Sequence, residues 1–192
     1  WTASGPYPNR LANKLYERYG FGGAGYITAT TPDAYGGVPI AGKSTVTRGG
    51  TITYNETDLD HSIVSVNGGQ ATFGDSAFIQ IITQCTHFSI FYTVSPGMLT
   101  YSIDGGVPVT LDCSTGTGFV DIAGLSDANH TIRFDYGSGA PILNGIYALR
   151  DKGVVVNNCA NSGSATNDWY VMTDSALWVS QFEKLSTNAV II

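Results

Sequence analysis

Charged side chains are scarce in this sequence: Asp, Glu, Lys and Arg make up only 12% of its 192 residues. Cations are scarcer still in the middle. Between Gly49 and Leu149 the only Lys or Arg is Arg133, against Glu56, Asp58, Asp60, Asp75, Asp104, Asp112, Asp121, Asp127 and Asp135. A surface of that sign repels phosphate, which argues against nucleic acid or an anionic membrane as partner and is compatible with a neutral polymer such as a glycan. Cysteine is also rare. Cys85, Cys113 and Cys159 are odd in number and widely spaced, so they form no zinc pattern; they read as small buried thiols, with one disulfide as the other arrangement. No apolar run approaches the ~20 residues of a membrane-spanning helix, and no signal-peptide pattern is visible at Trp1. The sequence calls for no cofactor and no metal.

Glycine and tyrosine, in contrast, are plentiful, at 24 and 11 residues, and 43% of the chain is hydrophobic. That balance suits a β-rich extracellular domain with many turns. Three zones are legible. In the first, Pro8 can open a helix, Leu11, Ala12 and Leu15 follow at helical spacing, and Gly20 can close it, which predicts an amphipathic helix from Tyr7 to Tyr19. The second zone, about Gly25 to Ala148, shows no helical pattern. Short alternating or β-branched runs recur between turn signals, at 44–47, 51–54, 62–66, 78–83, 87–93, 98–103, 107–111, 119–123 and 130–136. Asp104-Gly105-Gly106 between two of them reads as a hairpin turn. This spacing predicts an antiparallel sandwich or jelly roll. In the third zone Gly153-Val154-Val155-Val156 reads as a buried parallel strand, followed by a polar loop. Then comes a helix capped by Thr173 or Asp174 and carrying Leu177, Trp178, Phe182 and Leu185, and a last strand at 189–192. Strand, helix, strand is a βαβ unit. Its last strand ends with the sequence, so the chain is expected to be part of something longer.

Three stretches resemble the SGNH (GDSL-type) hydrolases, in particular members with a β-sandwich inserted early in the α/β core, as in phage and bacterial cell-surface esterases. Trp1-Thr2-Ala3-Ser4-Gly5 followed by Tyr7 to Leu15 resembles what comes after that family's Gly-Asp-Ser motif. Asn158-Cys159-Ala160-Asn161-Ser162-Gly163 resembles its second motif, and Thr187 to Ile192 resembles the strand leading into Gly-x-Asn-Asp. The resemblance implies a mainly β chain, an antiparallel sandwich or jelly roll set into a partial, flavodoxin-like α/β core. Its units would be residues 1–24, 25–148 and 149–192. It further implies a serine esterase or deacetylase acting on carbohydrate or cell-surface polysaccharide, placed outside the cell, on its surface or on a virion. In this register the nucleophilic serine lies just before Trp1, the asparagine just after Ile192, and the Asp-x-x-His pair further on. Of the catalytic set, only Gly163 falls within the chain, where its amide would help to form the oxyanion hole. The alternative function is a non-catalytic glycan-binding module or a phage tail or receptor-binding structural module.

Other residues invite chemistry. Gly74-Asp75-Ser76 spells the family's nucleophile motif, but it precedes the strand-like run 77–83 rather than a helix, and so reads as a turn. No spacing assembles Ser76, His130 and an aspartate into a triad, and His61, His87 and His130 read as structural or surface residues. The acidic run Asn55-Glu56-Thr57-Asp58-Leu59-Asp60 lacks calcium-loop spacing and reads as solvated. Among the aromatics, Tyr26 and Tyr35 sit in a Gly-rich region without a clear period. They are the pair expected at the surface, where rings could stack on sugars.

Overall fold

The computed structural model describes residues 7–30, 43–56, 69–157, 179 and 183–185. Helix α1 spans Tyr7–Tyr19, as its pattern predicts. Ala12 and Tyr16 are buried while Asn13, Lys14, Glu17 and Arg18 face solvent. The Gly20 amide bonds the Tyr16 carbonyl at 2.9 Å and closes the last turn. Among the described residues eleven strands follow: β1 (Gly25–Thr28), β2 (Ser44–Gly49), β3 (Ile52–Glu56), β4 (Gly69–Phe73), β5 (Phe78–Cys85) and β6 (His87–Thr93), then β7 (Gly97–Ile103), β8 (Val109–Asp112), β9 (Phe119–Ile122), β10 (Ala128–Gly139) and β11 (Ile142–Leu149). The expected strand at 62–66, most of the expected helix after Thr173 and the strand at 189–192 lie outside the described residues.

The strands form two antiparallel sheets. The first has the order β3-β4-β11-β6-β9, with β1 also on β11, and the second β2-β5-β10-β7-β8. Their facing sides share one apolar core. Ile79, Ile81, Leu99, Ile132 and Phe134 come from the second sheet, and Ile27, Phe73, Phe88, Ile90 and Ile146 from the first. In β5 the pattern is strictly alternating: Ile79, Ile81, Thr83 and Cys85 point in, and Phe78, Gln80, Ile82 and Gln84 point out. The outer side of this sheet is partly solvated, with the Arg133 guanidinium 4.2 Å over the Phe78 ring and paired with Asp135.

The first sheet is different. Its outer side is also covered, by a second cluster of Tyr26, Phe91, Tyr147 and Leu185. Strand β11 therefore has apolar residues on both faces. It also carries a bulge between Leu143 and Gly145, so the inward residues run Leu143, Ile146, Ala148 instead of every second position. Gly145 lies directly against β1. A Cβ there would stand 2.3 Å from the Ile27 carbonyl oxygen and 3.1 Å from Thr28 Cα. Backbone cannot swing aside, so G145A is expected to destabilise the fold by about 3 kcal/mol, the upper end of overpacking costs. A urea midpoint equal to that of the parent would contradict this.

The two ends of the sandwich meet. Phe21 and Val154 form a parallel bridge, Gly22 N–H donates to the Val154 carbonyl at 2.8 Å, and Arg150 N–H donates to the Gly22 carbonyl at 2.8 Å. Ala12 and Tyr16 of α1 pack on Phe21, Val154 and Val156. The parallel strand expected from Gly153 to Val156 is thus represented by this one bridge among the described residues. The β half of the expected architecture is present; the α/β core is not shown by these residues.

Candidate functional site

Gly74-Asp75-Ser76 is a turn. Ala77 N–H donates to the Gly74 carbonyl at 3.1 Å, and Ser76 is exposed with φ of 60°. His130 is far from it: Phe78 pairs with Asp135 and Thr83 with His130, five strand positions or roughly 16 Å apart at ~3.3 Å per residue. Ser76 therefore has no imidazole base within reach from β10.

His130 instead fastens the β7–β8 turn. Asp104 and Gly105 both have positive φ (53° and 70°), the form a tight hairpin turn requires. The Asp104 carboxylate accepts from Thr131 N–H at 2.8 Å and from His130 Nδ1 at 2.7 Å. His130 Nε2 faces the Ser126 carbonyl oxygen at 2.9 Å. A carbonyl can only accept, and so can an ionised carboxylate, so both ring nitrogens carry protons and the buried ring is an imidazolium. Burial opposes that charge, but the bonds to Asp104 and Ser126 and the attraction of Asp104 outweigh it and raise the His130 pKa. The bonds from His130 and then Thr131 lower that of Asp104.

The sign follows. Stability from His130 is fully present below its unfolded pKa of ~6.5 and is lost as pH rises through its higher folded value; stability from Asp104 is present above ~3.9 and is lost as pH falls through its lower folded value. The pair contributes most between about pH 4 and 6.5. The Tm difference between the parent and His130→Ala should therefore shrink from pH 5.5 to pH 9. A difference independent of pH over that range would contradict an imidazolium.

Tyr26 corrects an expectation. It is 2% exposed, its ring is 5.9 Å from that of Phe91, and its hydroxyl donates to the Asn144 carbonyl at 3.0 Å. All four residues of β1 are buried, so the missing period marks a strand covered on both faces, not a surface loop. A ring so placed cannot stack on a sugar. Tyr35, Gly163, His61, Cys159 and residues 57–60 of the acidic run lie outside the described residues. Cys85 and Cys113 are free, buried thiols, as expected of small buried cysteines. Both are pushed up to about 11, first by burial, with Asp104 and Asp127 adding to it at Cys85 and Asp112 at Cys113. No group of three or more His, Cys, Asp or Glu among the described residues could hold a metal ion. No helix among them is long and apolar enough to cross a membrane.

Among the described residues, a shallow cleft lies on the outer side of the first sheet. Register sets its floor: Tyr147, Ser89 and Asp121 lie in one cross-strand row, and Leu149 and His87 in the next. Glu183 and Lys184 also line it, and the cleft has a volume of about 430 Å³. Ser89 Oγ donates to Asp121 at 2.5 Å, and Lys184 Nζ donates to the other Asp121 oxygen at 2.6 Å while lying 4.8 Å from the Phe119 ring centre. Burial of Asp121 works against its charge, but Lys184 and Ser89, with the positive field of Lys184 and His87, hold its pKa below the usual carboxylate range. Thr86 Oγ1 donates to Asp151 at 2.8 Å and lies 3.1 Å from His87 Nδ1.

Serine, histidine and aspartate are thus close together, but not as a hydrolytic triad. The Ser89 proton points at a carboxylate that is a poor base, and His87 is engaged on the Thr86–Asp151 side. The arrangement can hold a polar ligand; it does not activate a hydroxyl. Sequence reasoning missed this set. Its signal was the His87-x-Ser89 pair, two polar residues on one face of an otherwise apolar strand.

No family model matches the chain, and no curated protein matches it. Among solved structures it superposes on a peptidoglycan O-acetylesterase with a TM-score of 0.63 and 11% identity, covering 95% of this chain and 49% of that one. It also superposes on a two-domain esterase active on acetylated mannans (TM-score 0.40, 14% identity, 65% of this chain and 39% of that one). A family two carbohydrate esterase from Cellvibrio japonicus superposes with a TM-score of 0.38 and 11% identity, over 58% of this chain and 34% of that one. The first likeness is one of fold. This chain spans about half the length of that esterase and shares its architecture over that half.

Proposed function

We propose that the chain is the front part of an SGNH-type serine esterase acting on acylated carbohydrate or cell-surface polysaccharide, with the sandwich binding or presenting the glycan. The observation that carries this reading is the meeting of the sandwich's two ends. An inserted domain leaves and returns to its host at one place, so its connections run side by side. Here Phe21 and Val154 pair in parallel and α1 packs on the outgoing segment. This closeness supports a sandwich set into a host core, with the proposed boundaries near residues 24 and 149. The fold shared with a peptidoglycan O-acetylesterase over 95% of the chain supports it.

In this reading the host is an α/β core and the sandwich a jelly roll. The Gly163 amide donates to the oxyanion of a tetrahedral intermediate formed by a serine upstream of Trp1. The asparagine of Gly-x-Asn-Asp completes the hole, and an Asp-x-x-His pair supplies the base. The protein works outside the cell, on its surface or on a virion. The gene's flanking sequence is the first test: Gly-Asp-Ser ending just before Trp1 and Gly-x-Asn-Asp beginning just after Ile192 are expected, and unrelated flanks would overturn the enzyme.

A second reading, a non-catalytic glycan-binding or tail module, is favoured by the cleft, where polar groups converge without an activated nucleophile. Unrelated flanks together with retention of a polysaccharide would establish it in place of the first.

A further inference from the structure

The cleft beneath Glu183 and Lys184 has hydrogen-bonding capacity to spare. A carboxylate offers about four acceptor positions and an ammonium three donors. Asp121 spends acceptor positions on Ser89 and Lys184, and Lys184 spends one donor on Asp121. Ser89 gives its proton to Asp121, which leaves its lone pairs as acceptors. His87 Nε2 and the Glu183 carboxylate have no hydrogen-bond partner among the described residues. Donors and acceptors are therefore interleaved within one concavity, beside the apolar faces of Leu149 and Tyr147.

A sugar hydroxyl both donates and accepts, so it is best held where the two kinds of group alternate, and an apolar wall suits the C–H face of the ring. The formal charges are two carboxylates against one ammonium, in a sandwich that is acidic overall, so an anionic ligand is repelled. We infer that this cleft is a subsite for a neutral sugar residue of a polysaccharide, held by Asp121, Lys184, Glu183 and His87 at the end of the sandwich where the chain leaves it. The inference rests on the glycan reading above and gives it a location. It is not a site of bond cleavage.

The test uses the full-length protein with two probes, a neutral N-acetylglucosamine tetramer and anionic polygalacturonate. Binding is followed by calorimetry and by amide chemical-shift changes. The tetramer is expected to bind, with shifts centred on His87, Ser89 and Asp121, and polygalacturonate is expected not to. D121N/K184M should weaken the tetramer at least tenfold. His87→Ala, which stands outside the Ser89–Asp121–Lys184 chain and loses only its contacts with Thr86 and Asp151, should weaken it severalfold while the protein stays folded with a cooperative melting transition, which keeps the test valid if the double variant folds poorly. Tetramer binding that neither variant weakens, or shifts centred elsewhere, would overturn the cleft while leaving the glycan reading standing. Failure of the tetramer to bind would overturn the cleft as well. If acyl release from a polysaccharide persists in that case, the esterase reading survives on its own.

Discussion

In the full-length protein, Gly163→Pro is expected to lower kcat for deacylation by about 10²–10³-fold, the usual cost of one oxyanion-hole donor, while KM stays within a small factor. Proline has no amide hydrogen, so the substitution removes the one atom that the proposed role requires. Charge on the acyl oxygen develops in the transition state, not in the bound substrate. The loss therefore falls on kcat. Gly163→Ala keeps the N–H and should cost far less. Ser76→Ala, in its exposed turn, should change neither constant. Equal losses in the proline and alanine variants would mean that the backbone shape at residue 163 matters and its N–H does not. A large loss in Ser76→Ala would overturn the register itself.

Phe134→Ala is expected to destabilise the protein by about 3–5 kcal/mol. Phe134 is fully buried on β10, between β5 and β7, and its ring centre lies 6.5 Å from that of Tyr101. Removing it takes away apolar burial and leaves a cavity between two sheets that cannot close on it. For a chain of this size the fall in Tm is roughly 6–20 °C, at ~2–4 °C per kcal/mol. Phe78 is the internal comparison. It pairs with Asp135 one register step away but faces out, under Arg133. Phe78→Ala should cost about 1 kcal/mol, the worth of a partly exposed aromatic and its cation contact. Similar losses at both positions would contradict the assignment of inner and outer faces.

What the sequence revealed depended on whether an element kept a regular polar–apolar period or, as in the doubly buried β6, an unbroken β-forming run between turn signals. Helix α1 was legible to the residue because its buried and exposed positions differ in polarity. Strand β6 was legible too, and β5, β7, β8, β9 and β10 within a few residues at their ends. Strand β11 was missed although it is central to its sheet. It is covered on both sides, and the bulge at Asn144 shifts its inward residues from Leu143 to Ile146, which destroys the two-residue period. Strand β1 was missed for the same double burial, and Tyr26 was misplaced with it. The turn at Ser76 was readable from the strand that follows. The union of His130 with Asp104 was not, because it joins residues 26 apart that meet only through the pairing of β7 with β10. The cleft was illegible for a like reason: its floor comes from β6, β9 and β11 and its wall from Glu183 and Lys184.

The central claim is that a serine esterase is completed around this chain by a Gly-Asp-Ser outside it. The most direct measurement is to react the full-length protein with a fluorophosphonate, which labels activated serines, and to map the modified peptide by mass spectrometry. The account predicts a single label on the serine immediately upstream of Trp1, formed in step with loss of acyl release from polysaccharide. Labelling at Ser76 or Ser89, or acyl release that continues undiminished after labelling, would contradict it.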